Sequence, residues 1–433
     1  MMDPVKFRRI ALQAVLSFAL LSGQAFSQAN GAWSGQDGAH WVGSWAASQQ
    51  IPEPQNAVAA DDLRDATLRQ VVHLSVGGRR IRVHVSNAFG DGPLHLTGVH
   101  VARPVGTASG MVDPGSDRAL TFGGRAEVVI PPGAEYVSDA LEFGCEPLSD
   151  LAVTMHMERA PAQETGHPGS RATSFLAHGD AVSAASLNGA SGGEAKKVDH
   201  WYFLSGVDVA GSEQGYSVVA LGDSITDGHG ATTNGNDRWT DVLARGLQAS
   251  PATRSVGVLN QGIGGNHLLT DGLGPNVLAR VDRDVLAQTG VRTVIVLEGI
   301  NDLGGLARME KVTAEQHIDL VQRMIGAYEQ VIVRAHAHGL RVVGATILPD
   351  GGSDYYHPAA RNEEDRQAVN QWIRAAGHFD AVVDLDTMMR DPADATRLRA
   401  SYDSGDHLHP SPVGYRVMGE AFAAALSGGS LAR

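Results

Sequence analysis

Cysteine is almost absent from this 433-residue chain, in which Cys145 stands alone. An intramolecular disulfide is therefore excluded, as is any zinc site built from several thiolates. Positive charge is also scarce. The 34 Lys and Arg are outnumbered by 48 Asp and Glu, for a formal charge of −14. Such a chain repels nucleic acid and anionic lipid, so neither is an obvious binding partner. Aromatic residues make up only 6%. Beyond the first 30 residues no apolar run is long enough to span a bilayer. What is present is globular in composition, with 43% hydrophobic and 19% charged residues, which excludes wholesale disorder. The 52 glycines point to many turns and loops, and the length fits two or three domains of about 150 residues.

The N-terminus is graded. Lys6, Arg8 and Arg9 precede an apolar run from Ile10 to Leu21, broken only by Gln13 and Ser17. Ala25-Phe26-Ser27 then places small residues where a signal peptidase reads the chain. Residues 1–27 are expected to be a signal peptide cleaved before Gln28, with an uncut anchor as the alternative. No cysteine follows to carry a lipid. The expectation is a protein released to periplasm or medium without stable membrane insertion, its free thiol protected by burial.

From about 40 to 210 the pattern is that of short strands. Val71–Val76, Arg80–Ser86, Leu94–Val101, Ala126–Ile130 and Leu151–Met157 are β-rich runs, and Gly77-Gly78 between the first two reads as a hairpin. Alternation puts Ile81, Val83 and Val85 on one face. This predicts an antiparallel β-sandwich, jelly-roll-like, in which 160–198 is a long loop or linker and Trp201–Val209 a strand that rejoins the sandwich. From 215 to 430 the rhythm changes. Apolar strands at 217–221, 256–259, 293–297, 341–348 and 381–385 alternate with helical stretches. One helix, around 238–248, groups Trp239, Val242, Leu243 and Leu247. Another, about 314–338, opens on Thr313-x-x-Gln316, a capping box, and spaces Ile318, Val321, Ile325 and Ile332 as one face. A five-stranded parallel sheet between helices is predicted, with ligands beyond the carboxyl ends of its strands.

Three motifs follow such strands and a fourth precedes the last helix. Gly222-Asp223-Ser224-Ile225-Thr226-Asp227-Gly228 follows the first parallel strand, so Ser224 is either an exposed nucleophile or a helix cap. Asn260-Gln261-Gly262-Ile263-Gly264-Gly265-Asn266 brings backbone N–H groups toward a ligand, but His267 stands where a dinucleotide fingerprint needs glycine. In Glu298-Gly299-Ile300-Asn301-Asp302, the Asn301 amide could donate into the cleft or cap a turn. In Asp406-His407-Leu408-His409-Pro410, Asp406 can orient His409 across one turn and leave Nε2 free as a base. The alternative there is a metal held by Asp406, His407 and His409. His336 and His338 lie on opposite sides of a helix and are read as solvated.

Together the four blocks supply a nucleophile, a base with its orienter, and oxyanion donors. In their order and in these residues the chain resembles the SGNH, or GDSL-type, serine hydrolases over about 215–430, with Ile225 in place of the leucine of the name motif. The resemblance implies a flavodoxin-like α/β/α fold preceded by a β-rich module. It further implies Ser224 as nucleophile, His409 as base oriented by Asp406, and an oxyanion hole of the Ser224 and Gly265 N–H groups and the Asn301 side chain. Gly264 is the other candidate for the glycine position. No metal or organic cofactor is implied. The expected function is a secreted esterase that takes short acyl groups, acetyl or similar, from a carbohydrate or other polar alcohol, its substrate a small-molecule or polysaccharide ester. A lipase, lysophospholipase or thioesterase is the alternative among enzymes, and a non-catalytic carbohydrate-binding protein the alternative of another class. The β-rich module either shapes the substrate entrance or only stabilises.

Overall fold

The computed structural model describes residues 38–189 and 193–428. The expected signal peptide lies outside the described residues. The strands of the N-terminal half are β1 (Trp41–Ala46), β2 (Arg64–His73), β3 (Gly78–Ser86), β4 (Leu94–Ala102), β5 (Arg118–Ala119), β6 (Val128–Ile130) and β7 (Glu135–Val137). They continue with β8 (Leu141–Cys145), β9 (Asp150–Arg159), β10 (Gly166–His167), β11 (Ser174–His178), β12 (Lys196–Val198), β13 (Trp201–Tyr202) and β14 (Leu204–Ala210). One sheet runs β12-β11-β2-β9-β4-β5 with β6 also on β4, and a second runs β1-β14-β3-β7 with β8 also on β3. Leu68, Val153 and Met155 of the first meet Ile81, Val83 and Val207 of the second in one apolar core. The half-buried Cys145 closes β8, and burial pushes its thiol up to about 11.

Two sequence expectations fail here. Gly77-Gly78 is not a hairpin, because β2 and β3 belong to different sheets. A Cβ on Gly77 would lie 2.4 Å from the Cys145 carbonyl, and one on Gly78 2.7 Å from that of Ala210. The glycines let the chain cross between sheets where backbones crowd. The stretch 160–198 is not without structure either. It contributes β11, which pairs with β2, and the fully buried Arg69 ties it down by donating to Gly110 O at 2.8 Å and Ala184 O at 2.7 Å.

The second half alternates strand and helix: β15 (Tyr216–Gly222), α1 (Ser224–Asp227), α2 (Trp239–Gln248), β16 (Val256–Gly262), α3 (Val277–Val281), β17 (Val291–Leu297) and α4 (Ile300–Ala307). Then come α5 (Ala314–Ala337), β18 (Arg341–Ala345), α6 (Ala360–Arg374), β19 (Ala381–Val383), α7 (Leu385–Met389) and α8 (Pro412–Ser427). The sheet is parallel throughout, in the order β16-β15-β17-β18-β19. That is the doubly wound, flavodoxin-like order, whose strand ends form the crevice. The expected five-stranded α/β/α fold is therefore present. The capping box at Thr313 and Gln316 forms as expected. The inward face of α5, however, is His317, Met324, Tyr328, Val331 and Ala335 with Ile332, while Ile318 is exposed. The isoleucine spacing ran along the flank of the true stripe. No helix among the described residues is long and apolar enough to cross a membrane.

The two halves share one compact body. β1 lies against β16 and the start of β15, where Gly43 N donates to Ser217 Oγ at 2.9 Å and to Thr289 O at 3.1 Å. Ser75 Oγ accepts from Val258 N at 2.8 Å. The loop after β10 reaches further, to the ends of the parallel strands.

Candidate active site

β15 ends on Gly222, and a Cβ there would stand 2.2 Å from Thr226 Oγ1 and 2.4 Å from Leu297 O, so the turn into α1 tolerates no side chain. Asp223 rather than Ser224 caps that turn, its carboxylate accepting from Ile225 N at 2.9 Å. Ser224 is thereby left as the first helical residue with its hydroxyl directed elsewhere. It is 8% exposed, and its Oγ lies 2.8 Å from His409 Nε2. His409 Nδ1 meets Asp406 Oδ2 at 2.6 Å, and Asp406 Oδ1 accepts from His409 N at 2.8 Å and Leu408 N at 3.0 Å. Partial burial works against charge on Asp406, but the hydrogen bonds from the His409 ring and backbone outweigh it and hold the carboxyl well below the usual range. The structure thus brings Ser224, His409 and Asp406 into one line. His407 turns away to pair with Asp403 at 2.5 Å, so the expected alternative of Asp406, His407 and His409 around one metal is not assembled.

The glycine block follows β16. Asn260, Gln261 and Gly262, read from sequence as lying after the strand, are its last residues. Gly265 adopts φ +64°, a left-handed turn position that favours glycine, whereas no such demand falls on Gly264. Asn301 lies in the first turn of α4, after β17. Its Nδ2 donates to Asn266 O at 2.6 Å and its Oδ1 accepts from Tyr356 Oη at 2.5 Å, which orients the amide and leaves one N–H uncommitted. Asp302 accepts from Leu268 N at 2.8 Å and Leu269 N at 3.1 Å, fixing the loop that carries Gly265.

Beneath these loops lies a charged layer that sequence reasoning missed. Fully buried Arg280 donates to Gly222 O at 2.9 Å and Gln261 O at 2.7 Å, and so ties the ends of β15 and β16 together. Its charge faces Asp284 at 3.0 Å and Glu298 at 3.9 Å. Burial, with Asp302 and Asp227 nearby, pushes Asp223 up to about 7. Burial and Asp223 together push Glu298 well above the carboxylate range, and its Oε2 has no hydrogen-bond partner. His229 was missed as well. Its ring lies against that of His409, centroids 4.0 Å apart, and its Nε2 is 3.8 Å from Asp406 Oδ2. The only sequence signal was its place between Gly228 and Gly230, just after the serine motif. Arg171, from the β-rich half, donates to His229 Nδ1 at 3.0 Å. Burial, followed by the charges of His409 and Arg171, lowers His229 to about 4. His229, Asp406 and His409 present ligand atoms within 4.8 Å of one another. The guanidinium on His229 repels a cation there, and the bonds of His409 to Ser224 and Asp406 suit proton transfer.

Residues 220–417 match the family model described as GDSL-like Lipase/Acylhydrolase. No curated protein matches the chain. Among solved structures, a GDSL-like lipase from Bacteroides thetaiotaomicron is 18% identical, with 49% of this chain and 89% of that one covered and a TM-score of 0.37. A catalytic mutant of an acetylxylan esterase from Geobacillus stearothermophilus is 19% identical, over 50% of this chain and 97% of that one, with a TM-score of 0.36. An α/β hydrolase from the metagenome of Lake Arreo, Spain, is 22% identical, over 49% and 94%, with a TM-score of 0.36. The stretch that carries Ser224, Asn301, Asp406 and His409 is thus similar to the GDSL-like lipase/acylhydrolase family.

Proposed function

We propose that this chain is an exported serine ester hydrolase that removes short acyl groups, acetyl above all, from a carbohydrate or another polar alcohol. The observation that carries the reading is the unbroken line from Ser224 Oγ to His409 at 2.8 Å and from His409 to Asp406 at 2.6 Å. In this mechanism Ser224 Oγ attacks the ester carbonyl while His409 Nε2 takes its proton. Asp406 holds the ring in the required tautomer and balances the imidazolium. The N–H groups of Ser224 and Gly265 and the free N–H of Asn301 receive the oxyanion. His409 returns the proton to the departing alcohol, and water repeats the sequence on the acyl-enzyme. Leu273 stands against Gly265 and Tyr356 against Asn301, beside two of the three oxyanion donors. The residue pattern before Gln28 supports export.

Hydrolysis of p-nitrophenyl esters from acetate to dodecanoate, with Ser224→Ala as control, tests the reading. Highest kcat/KM on acetate, and a fluorophosphonate adduct on Ser224, are expected. Preference for long chains would replace it with a lipase or lysophospholipase. Absence of turnover with Ser224 unlabelled would leave a non-catalytic carbohydrate-binding protein. A mature protein beginning at Gln28 checks the export step.

A further inference from the structure

The β-rich half places one cation beside the catalytic histidine. Arg171 sits in the loop between β10 and β11, with its backbone at φ +48°. A non-glycine residue is rarely held in that left-handed region. The loop is anchored on both sides of Arg171. Arg171 O accepts from Asn234 N at 2.8 Å, Thr173 N donates to Asn234 Oδ1 at 2.9 Å, and Ser170 O accepts from the Arg238 guanidinium. The side chain so aimed puts Nη2 3.0 Å from His229 Nδ1. An arginine has no acceptor, so His229 Nδ1 must accept and its one proton sits on Nε2.

We infer that Arg171 is a positioning residue which keeps His229 uncharged, so that Asp406 serves His409 alone. The proposal rests on the Ser224–His409–Asp406 reading above. Asp406 is bonded to His409 at 2.6 Å, yet His229 Nε2 waits 3.8 Å away on the same carboxylate oxygen. An imidazolium at His229 would compete for that oxygen and would lie against the imidazolium that His409 becomes during catalysis. The groups facing His229 are Arg171 from the β-rich half, Asp406 and His409 from the loop before α8, and Asp227 from its own segment. From α8, Tyr415 Oη donates to the His229 carbonyl at 2.6 Å. Of these, the two carboxylates favour a charged ring, while Arg171 and His409 oppose it. Only Arg171 does so permanently, since guanidinium does not lose its proton in this range. Removing Arg171 takes away the one permanent opposing charge, so His229 gains a proton more readily, with burial and His409 still opposing it.

The pH dependence of kcat/KM on p-nitrophenyl acetate reads this directly, because it reports ionisations of the free enzyme and the substrate carries no charge for Arg171 to bind. Active sites are counted by fluorophosphonate titration, so loss of folded protein does not enter. Wild type is expected to lose activity on the acid side with a slope of one proton. Arg171→Met should move that limb to higher pH, steepen it toward two protons, and lower kcat/KM at pH 7 by about threefold to tenfold. His229→Phe added to Arg171→Met keeps a ring against His409 with nothing to titrate, and should return the slope to one. Arg171→Lys keeps the donor and the charge and should stay within about threefold of wild type. A one-proton limb at unchanged pH in Arg171→Met overturns the inference, as does a two-proton limb that persists in the double variant. An active Ser224→Ala, or a wild type without an acid limb, would instead overturn the triad reading beneath it.

Discussion

The two halves of the molecule deliver polar side chains to the same place by different routes. In the α/β half, Ser224, Gly265 and Asn301 each stand just beyond the carboxyl end of β15, β16 or β17. Each is oriented by near neighbours, such as the Asp223 cap or the bond from Asn301 to Asn266. In the β-rich half, His167 and Arg171 belong to a short strand and a loop whose shape depends on the other half. His167 faces Ser48 O at 2.8 Å and Asp227 at 2.9 Å, while Arg171 faces His229. The first set sits where a parallel sheet always opens a crevice. The second exists only because two layers are docked. Chemistry is therefore expected to depend steeply on the first set, whereas the second should govern stability and protonation.

That division can be broken by mutation. Ser224→Ala and His409→Ala should each lower kcat by roughly 10⁴ or more, in line with triad enzymes. His407→Ala, which loses only the pairing with Asp403, should cost far less. Equal losses at the two histidines would undo the assignment of the base. Asn301→Ala should lose roughly 10²–10³ in kcat, about 2.7–4 kcal/mol of barrier, with KM nearly unchanged. Asn301→Asp should be no better, because a carboxylate repels the oxyanion. An active Asp variant would make Asn301 a turn residue.

Across the junction the expected effects turn from rate to stability. His167→Ala leaves the buried Asp227 carboxylate without the ring it faces at 2.9 Å. Loss of a hydrogen bond to a charged group costs about 1.5–3 kcal/mol. The melting temperature should fall by several degrees, while kcat of the remaining folded enzyme drops less than tenfold. A large fall in kcat without thermal destabilisation would mean that His167 acts in the chemistry.

The smallest effect sharpens the contrast within the α/β half. Asp223 is pushed up to about 7 and Glu298 well above the carboxylate range, both by burial first. Such groups bind more protons folded than unfolded. Their contribution is fully present below the unfolded value near ~4 and is lost as pH rises through the folded value. Melting temperature should therefore decline from pH 5 to 8, and Glu298→Gln should flatten the decline. Glu164, in the β-rich half and raised by burial to about 7, keeps part of it. Identical slopes for variant and wild type would show that Glu298 is ionised in the folded protein.

Sequence alone determined the parallel sheet and the elements that carry the site. Strands buried on both faces read as continuous apolar runs, and three of the four motifs sat at the end of one, the fourth just before the last helix. The pairing of Asp406 with His409 was legible because three residues of chain close the distance by themselves. The strand partners in the β-rich half were not legible. An antiparallel strand can pair with any other of the right alternation, and Gly77-Gly78 looks the same at a hairpin and at a crossing between sheets. Only tertiary structure decided the surroundings of the base. His229 and Arg171 lie far from His409 along the chain, yet the His229 ring lies against that of His409 and Arg171 donates to His229, while Tyr356 and Arg280 reach Asn301 and Gly222 from equally distant segments. The position of Arg171 follows from docking the two halves and those of the others from folding of the α/β half, and no local periodicity encodes a contact that depends on where a distant segment comes to rest.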